Sequence, residues 1–178
     1  MKTALLVYWS QTGNTEKVAL AIRDGLCAAG VNVEVKKPAE AKDADLFDLD
    51  LVGVGSPVIH QHPAKPIDDF LKNKFDWYRK QGRIKLCAPK VPGKYALIFC
   101  TYSGPHTGID EAIPAGKYTR QFFEHLGFKT VGEWYILSEF HGSAENSTKG
   151  RMGDIRGKPT AEDIQKIRED AEQLARTL

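Results

Sequence analysis

Leu5-Leu6-Val7-Tyr8-Trp9-Ser10-Gln11-Thr12-Gly13-Asn14-Thr15 is an apolar run that stops abruptly in hydroxyls, amides and one glycine. Beyond it Val18, Ala21, Ile22, Gly25, Leu26 and Ala29 recur at helical spacing. The stretch therefore reads as strand, anion-binding loop and helix start. Ser10, Thr12 and Thr15 offer hydroxyls, Gly13 permits a turn with positive φ, and Asn14 or Thr15 suits the helix cap. The loop holds no Lys or Arg. A phosphate there would be bound by backbone N–H groups, hydroxyls and the positive end of the helix dipole. An ordinary turn with a good cap has a similar composition, but Ser10, Thr12, Asn14 and Thr15 are more donors than a cap requires. A dinucleotide fingerprint needs glycines at the first, third and sixth positions, and a P-loop ends in Gly-Lys-Ser/Thr; neither pattern is present.

Working outward, Gly30 supplies a helix stop and Val31 to Val35 alternates as a strand near a sheet edge. Pro38 to Asp45 is a polar connection, and Asp50 to Gly55 reads as a buried strand of parallel type. Two prolines break the following loop, Ser56-Pro57-Val58-Ile59-His60-Gln61-His62-Pro63, and helical spacing resumes over Lys65 to Phe75. Asp76 to Pro92 interrupts the rhythm as an insertion. Lys72 to Lys94 carries eight basic side chains against Asp76 alone, which suits either a solvated loop anchored by Trp77, Tyr78 and Ile84 or a docking surface for an acidic partner. Tyr95 to Cys100 is the next buried strand, with the glycine-rich loop Thr101-Tyr102-Ser103-Gly104-Pro105-His106-Thr107-Gly108 after it. Lys117 to Leu126 forms a helix stopped by Gly127, and Val131 to Leu137 a fifth strand. Ser138 to Lys158 is a long polar connection, of the kind that is functional or mobile. Thr160 and Asp163 have capping-box spacing before a closing helix with Ile164, Ile167, Ala171, Leu174 and Leu178 on one face.

With 178 residues, 42% hydrophobic and 27% charged, the chain has the composition of one soluble α/β domain, 1–178, with the insertion at about 76–92 and the long loop at about 138–158. No apolar run reaches the roughly 20 residues of a membrane span, and the first is too short for a signal-peptide core, so a cytoplasmic protein is expected. Cys27, Cys87 and Cys100 form no Cys-x-x-Cys pair, which argues for small buried side chains and against disulfides, zinc or iron–sulfur clusters. A net charge of +2 is too mild for nucleic acid.

The segment Tyr8 to Lys17 resembles the FMN-phosphate loop of flavodoxins, with their Ser/Thr-x-Thr-Gly-x-Thr pattern matched at Ser10, Thr12, Gly13 and Thr15. The resemblance implies a three-layer flavodoxin-like fold, a five-stranded parallel sheet in the order 2-1-3-4-5 with helices on both faces. Flavodoxin is itself the standing example of that order, with FMN where it reverses between strands 1 and 3. It also implies FMN as cofactor, its phosphate at Ser10, Gln11, Thr12, Gly13, Asn14 and Thr15. Ser56, Pro57, Val58, Ile59 and His60 would flank the isoalloxazine on one side, and Thr101, Tyr102, Ser103, Gly104, His106 and Gly108 on the other. Gly153 to Pro159 has a weaker likeness to larger flavodoxin-like proteins.

Two features depart from electron-carrier flavodoxins. The loop after the third strand has no aromatic besides its histidines, leaving Tyr102 as the stacking residue, and the overall charge is not acidic. Both should ease reduction of the flavin. His60, His62, His106 and His141 all follow strands, where they are either surface-loop residues or donors that could stabilise reduced flavin or protonate a quinone-like acceptor; a metal site has no enforcing spacing. The resulting expectation is an FMN-binding redox protein serving a partner protein or small-molecule acceptor. The alternative is an NAD(P)H-dependent oxidoreductase acting on a quinone; self-association is left open.

Overall fold

A computed structural model describes Met1–Leu178. The chain runs β1 (Thr3–Tyr8), α1 (Asn14–Ala28), β2 (Asn32–Lys36), β3 (Leu51–Ile59), β4 (His62–Pro63), α2 (Lys65–Lys80), β5 (Tyr95–Tyr102), α3 (Ile113–His125), β6 (Lys129–Leu137), α4 (Ala144–Thr148) and α5 (Ala161–Ala175). Five strands pair in parallel in the order β2-β1-β3-β5-β6, which is the expected 2-1-3-4-5 with the parallel strands counted alone. The short β4 was not anticipated; it folds back antiparallel on the end of β3.

Burial on both faces explains why these strands read as unbroken apolar runs. Leu5 and Val7 of β1, Val52 and Val54 of β3, and Ala96, Ile98 and Cys100 of β5 join the core under α2 and α3. Ala4, Leu6 and Tyr8, Leu51, and Leu97 and Phe99 join the core under α1 and α5. At about 1.5–3 kcal/mol per fully buried large aliphatic or Phe side chain, this alternation is the main force holding the layers together. Gly55 belongs to it, since a Cβ there would stand 1.9 Å from Phe99 Cε2. On the outer layer, a Cβ on Gly25 would lie 2.1 Å from Arg168 O, so α1 crosses α5 nearly backbone to backbone.

The structure corrects several expectations. α2 continues through Phe75 to Lys80, because Tyr78 is a core residue: its hydroxyl accepts from Leu46 N (2.6 Å) and donates to Asp45 Oδ1 (2.9 Å). Only Gln81 to Lys94 remains as insertion, and most of the basic residues from Lys72 onward are engaged, Arg83 with Asp45 and the Phe47 ring and Lys90 with Phe128 O among them. Lys72 pairs with Asp68 and Arg79 with Asp76, the buried Lys74 donates to Ala44 O, and Lys94 donates to Leu49 O. α3 begins at Ile113, before Lys117, with Pro114 in its first turn, where the missing N–H breaks no helical bond. Of the cysteines only Cys100 is buried, with burial pushing its thiol up to about 12; Cys27 and Cys87 are exposed. The capping box of α5 is present. No helix is long and apolar enough to cross a membrane.

Candidate functional site

Parallel strands deliver the loops that follow them to one edge of the sheet. Here the loops after β1, β3, β5 and β6 enclose a cleft of about 480 Å³. Gln11, Thr12, Asn14 and Thr15 form its floor, Pro57 to Gln61 one wall, Thr101 to Ser103 with Pro105, His106 and Glu111 the other, and Ser138 to Gly142 with Asn146 the rim.

In the floor, Gly13 takes φ 96° and is itself the N-cap of α1, and no side chain caps the helix. Asn14 and Thr15 fall within the first turn, so the expectation that either caps it fails. Asn14 Nδ2 instead donates to Glu139 O (3.2 Å), and Thr15 Oγ1 lies 2.8 Å from Thr101 Oγ1, with both threonines buried. Ser10 does not line the cleft; its hydroxyl accepts from Gly13 N (3.0 Å) and shapes the loop. Thr12 is exposed in the cleft. The first-turn amides of α1 are thus free of side-chain partners, the condition in which a helix N-terminus receives an anion. A nearby cation is already occupied: Lys37 lies over the Tyr8 ring (3.7 Å) and 3.6 Å from Glu16 Oε1. The Tyr8 hydroxyl on Glu16, aided by Lys37, holds that carboxyl below its usual range.

The first wall is a two-residue hairpin with Ile59 opposite His62 and a turn at His60 (φ 48°) and Gln61 (φ 60°). Pro57, Val58, Ile59 and His60 line the cleft, and Gln61 joins them. Ser56 does not: it is buried, and its Oγ donates to Pro57 O and accepts from Ala64 N, both at 2.8 Å. His62 packs on Tyr118 (centroids 4.5 Å apart) away from the cleft.

In the opposite wall Thr101, Tyr102, Ser103 and His106 are in place, whereas Gly104 and Gly108 do not line the cleft. They let the loop close on itself: at Gly104 φ is 54°, and a Cβ would stand 2.5 Å from Gly108 O. Glu111 Oε1 fastens the loop by accepting from His106 N and Thr107 N, each at 2.7 Å. Tyr102 is buried, which raises its phenol above the usual value and keeps the ring neutral.

The rim was not named as cofactor-binding by the sequence. It belongs to the long 138–158 connection, which is held by bonds rather than loose: Ser147 Oγ bonds both N and O of Phe140 (3.0 Å each), Glu139 N donates to Lys158 O, and Gly157 N donates to Glu139 Oε2. Phe140 is 41% exposed, and His141 Nδ1 lies 3.9 Å from Glu139 Oε1. The signal available was topological, since a loop after a parallel strand must reach this edge.

The lining contains no Lys or Arg; its acidic residues are Glu111 and Glu139, accompanied by His60, His106 and His141. No three His, Cys, Asp or Glu side chains converge as a metal site. The basic insertion enters the sheet at the start of β5, while Tyr102 in the cleft ends it, about 23 Å away at ~3.3 Å per residue step.

Comparison with known proteins agrees with this geometry. The family model for flavodoxin matches residues 6–170. The flavodoxin of Megasphaera elsdenii is 30% identical over 127 residues, covering 71% of this chain and 80% of its own. An NAD(P)H dehydrogenase (quinone) of Paraburkholderia phymatum is 24% identical over 198 residues, covering 99% and 97%. An uncharacterized protein of Methanocaldococcus jannaschii is 26% identical over 161 residues, 85% of this chain, yet the chain spans only 36% of it. Among solved structures, oxidised flavodoxin 1 from Bacillus cereus superposes with TM-score 0.68 at 16% identity over 99% of both chains. A flavodoxin from the Archaea gives 0.66 at 20% identity over 98% of this chain and 97% of its own. These likenesses show the fold, and the family match shows more: the chain belongs to the flavodoxin family and is an FMN-binding redox protein.

Proposed function

We propose that the chain relays electrons to and from redox partners through FMN seated in this cleft, with the phosphate at the floor and the ring between the two walls. The observation that carries the assignment is the floor's donor set: an uncapped helix start, an exposed Thr12 hydroxyl and no cation. That set suits a phosphate already attached to a neutral ring system, since backbone amides and hydroxyls select its oxygens without a counter-ion. Bound FMN supplies the one- and two-electron chemistry. The protein's residues position and insulate: Glu111 braces one wall, Ser56 braces the other, and Tyr102 offers a neutral ring.

A second reading, direct reduction by NAD(P)H with a quinone as acceptor, draws on the relatives named NAD(P)H dehydrogenase (quinone) and on His60, His106 and His141, which offer protons at the cleft. Against it, the lining has no cation to meet the charges of a pyridine dinucleotide. The basic insertion does not decide between the two, because it stands at the far edge of the sheet. Purified protein should take up FMN with the visible spectrum of a flavoprotein and stay oxidised when NADH or NADPH is added without oxygen. Failure to bind FMN would refute the site, whereas bleaching by a pyridine nucleotide alone would replace the relay with the oxidoreductase.

A further inference from the structure

We infer that His62, Tyr118 and Asp68, none of which lines the cleft, are positioning residues that clamp the strained His60–Gln61 turn into its cleft-facing shape and thereby set the affinity for FMN. The inference rests on the reading of the cleft as the FMN site.

A two-residue hairpin in which both central residues have positive φ is a type I′ turn, for which Asn-Gly is the favoured pair. This turn has His60 at φ 48° and Gln61 at φ 60°. Both side chains carry a steric penalty that glycine escapes, and such strain persists only where the surroundings over-determine the backbone. Two restraints are local: the pairing of Val58 with Pro63 and Ile59 with His62, and the Ser56 hydroxyl bonded to Pro57 O and Ala64 N. The third reaches out of the hairpin. The His62 ring rests on that of Tyr118 from α3, with centroids 4.5 Å apart, and Tyr118 OH donates to Asp68 Oδ1 on α2 at 2.6 Å. Lys72 holds the other oxygen of Asp68 at 2.6 Å. Burial alone would raise the Asp68 carboxyl, but the bonds from Lys72 and Tyr118 outweigh it and keep the group ionised. Two helices are thus tied to each other and to the residue that closes the turn. Were the clamp lost, a strained turn would relax into shapes that do not accept the ring, and affinity would fall with the binding-competent fraction.

A bond that merely joined α2 to α3 would affect FMN equally whatever the turn sequence, so the test is a cycle. Apoprotein is titrated with FMN by fluorescence quenching for the natural chain, Tyr118→Phe, the relaxed turn His60→Asn/Gln61→Gly, and the combination. Tyr118→Phe should raise Kd about three- to tenfold in the natural chain and less than about twofold in the relaxed turn. The visible circular dichroism of bound flavin should change with Tyr118→Phe and return toward the natural form in the combination. His62→Ala, at an exposed position, repeats the cycle without touching a buried hydrogen bond. Equal fold-changes in both backgrounds would overturn the clamp, as would Tyr118→Phe and His62→Ala both leaving Kd unchanged. A natural chain that binds no FMN is a different failure, that of the cleft assignment itself.

Discussion

Replacing Thr12 by Val tests the phosphate floor without disturbing the fold. Within the first loop Ser10 and Thr15 commit their hydroxyls internally, to Gly13 N at 3.0 Å and to Thr101 Oγ1 at 2.8 Å. Thr12 is instead exposed in the cleft. Valine keeps the branched shape and removes only the hydroxyl, so apoprotein stability should move by less than about 0.5 kcal/mol, the usual range for a surface position. A hydrogen bond to a charged group contributes about 1.5–3 kcal/mol, and about 1.4 kcal/mol corresponds to a factor of ten. Kd for FMN should therefore rise about ten- to hundredfold in a fluorescence-quenching titration. Riboflavin, which shares the ring and lacks the phosphate, is the control, and its weaker binding should be indifferent to the substitution. An unchanged Kd for FMN would remove Thr12 from the site, and an equal loss for riboflavin would place the hydroxyl against the ring.

Thr15→Val should show the opposite pattern: it strands the buried Thr101 hydroxyl, so the melting curve of the apoprotein should lose about 1–3 kcal/mol of stability whether or not FMN is present. Tyr78→Phe, which leaves Leu46 N and Asp45 without their partner, should cost a similar amount in urea unfolding. It should also flatten the alkaline limb. Burial raises the phenols of Tyr78, Tyr118 and Tyr135 above 10.0, so the folded chain keeps protons that the unfolded chain releases. Their contribution is full below about pH 10 and is lost as pH rises through the folded values, and urea midpoints measured from pH 8 to 11 should fall accordingly. Glu139→Gln keeps an acceptor for Gly157 N while removing a negative charge from the cleft, and spectroelectrochemistry should find the flavin potential shifted upward by tens of millivolts. A downward shift or none would show that this carboxylate does not act on the flavin.

The alternation of β1, β3 and β5 between two cores was legible because each strand is buried on both faces and the helices between them keep a 3.6-residue period. The floor was legible because a strand, four donors and a helix pattern adjoin. What could not be read were decisions made at long range. Ser56 looked like a ligand donor until Ala64 N claimed its oxygen, and α2 seemed to end at Phe75 because the partners of Tyr78 lie 32 and 33 residues away. Glu139 meets Asn14 across 125 residues, with no local periodicity to announce it. The His60–Gln61 turn was hidden for a different reason: neither residue is the Asn or Gly that marks a two-residue hairpin, so only the surrounding ladder and the contact with Tyr118 reveal it.

The net charge of +2 departs from the acidic balance of an electron carrier, but it does not describe the cleft. The basic residues between Lys72 and Lys94 are engaged along α2 or gathered at the far edge of the sheet, while the cleft itself has two carboxylates and no cation. A charge at that edge, about 23 Å along β5 from Tyr102, lies well beyond the ~8–10 Å screening length of physiological salt, so it counts for little in the cleft beside Glu139 at the rim. An aromatic also lines the cleft from another quarter: Phe140 comes from the loop after β6 rather than from the loop after β3. Acidic groups and an aromatic both disfavour charge on a reduced ring, so with FMN seated as proposed this lining would work against reduction. With FMN seated as proposed, the rim that β6 delivers would therefore weigh more on the flavin than the composition of the chain that surrounds it.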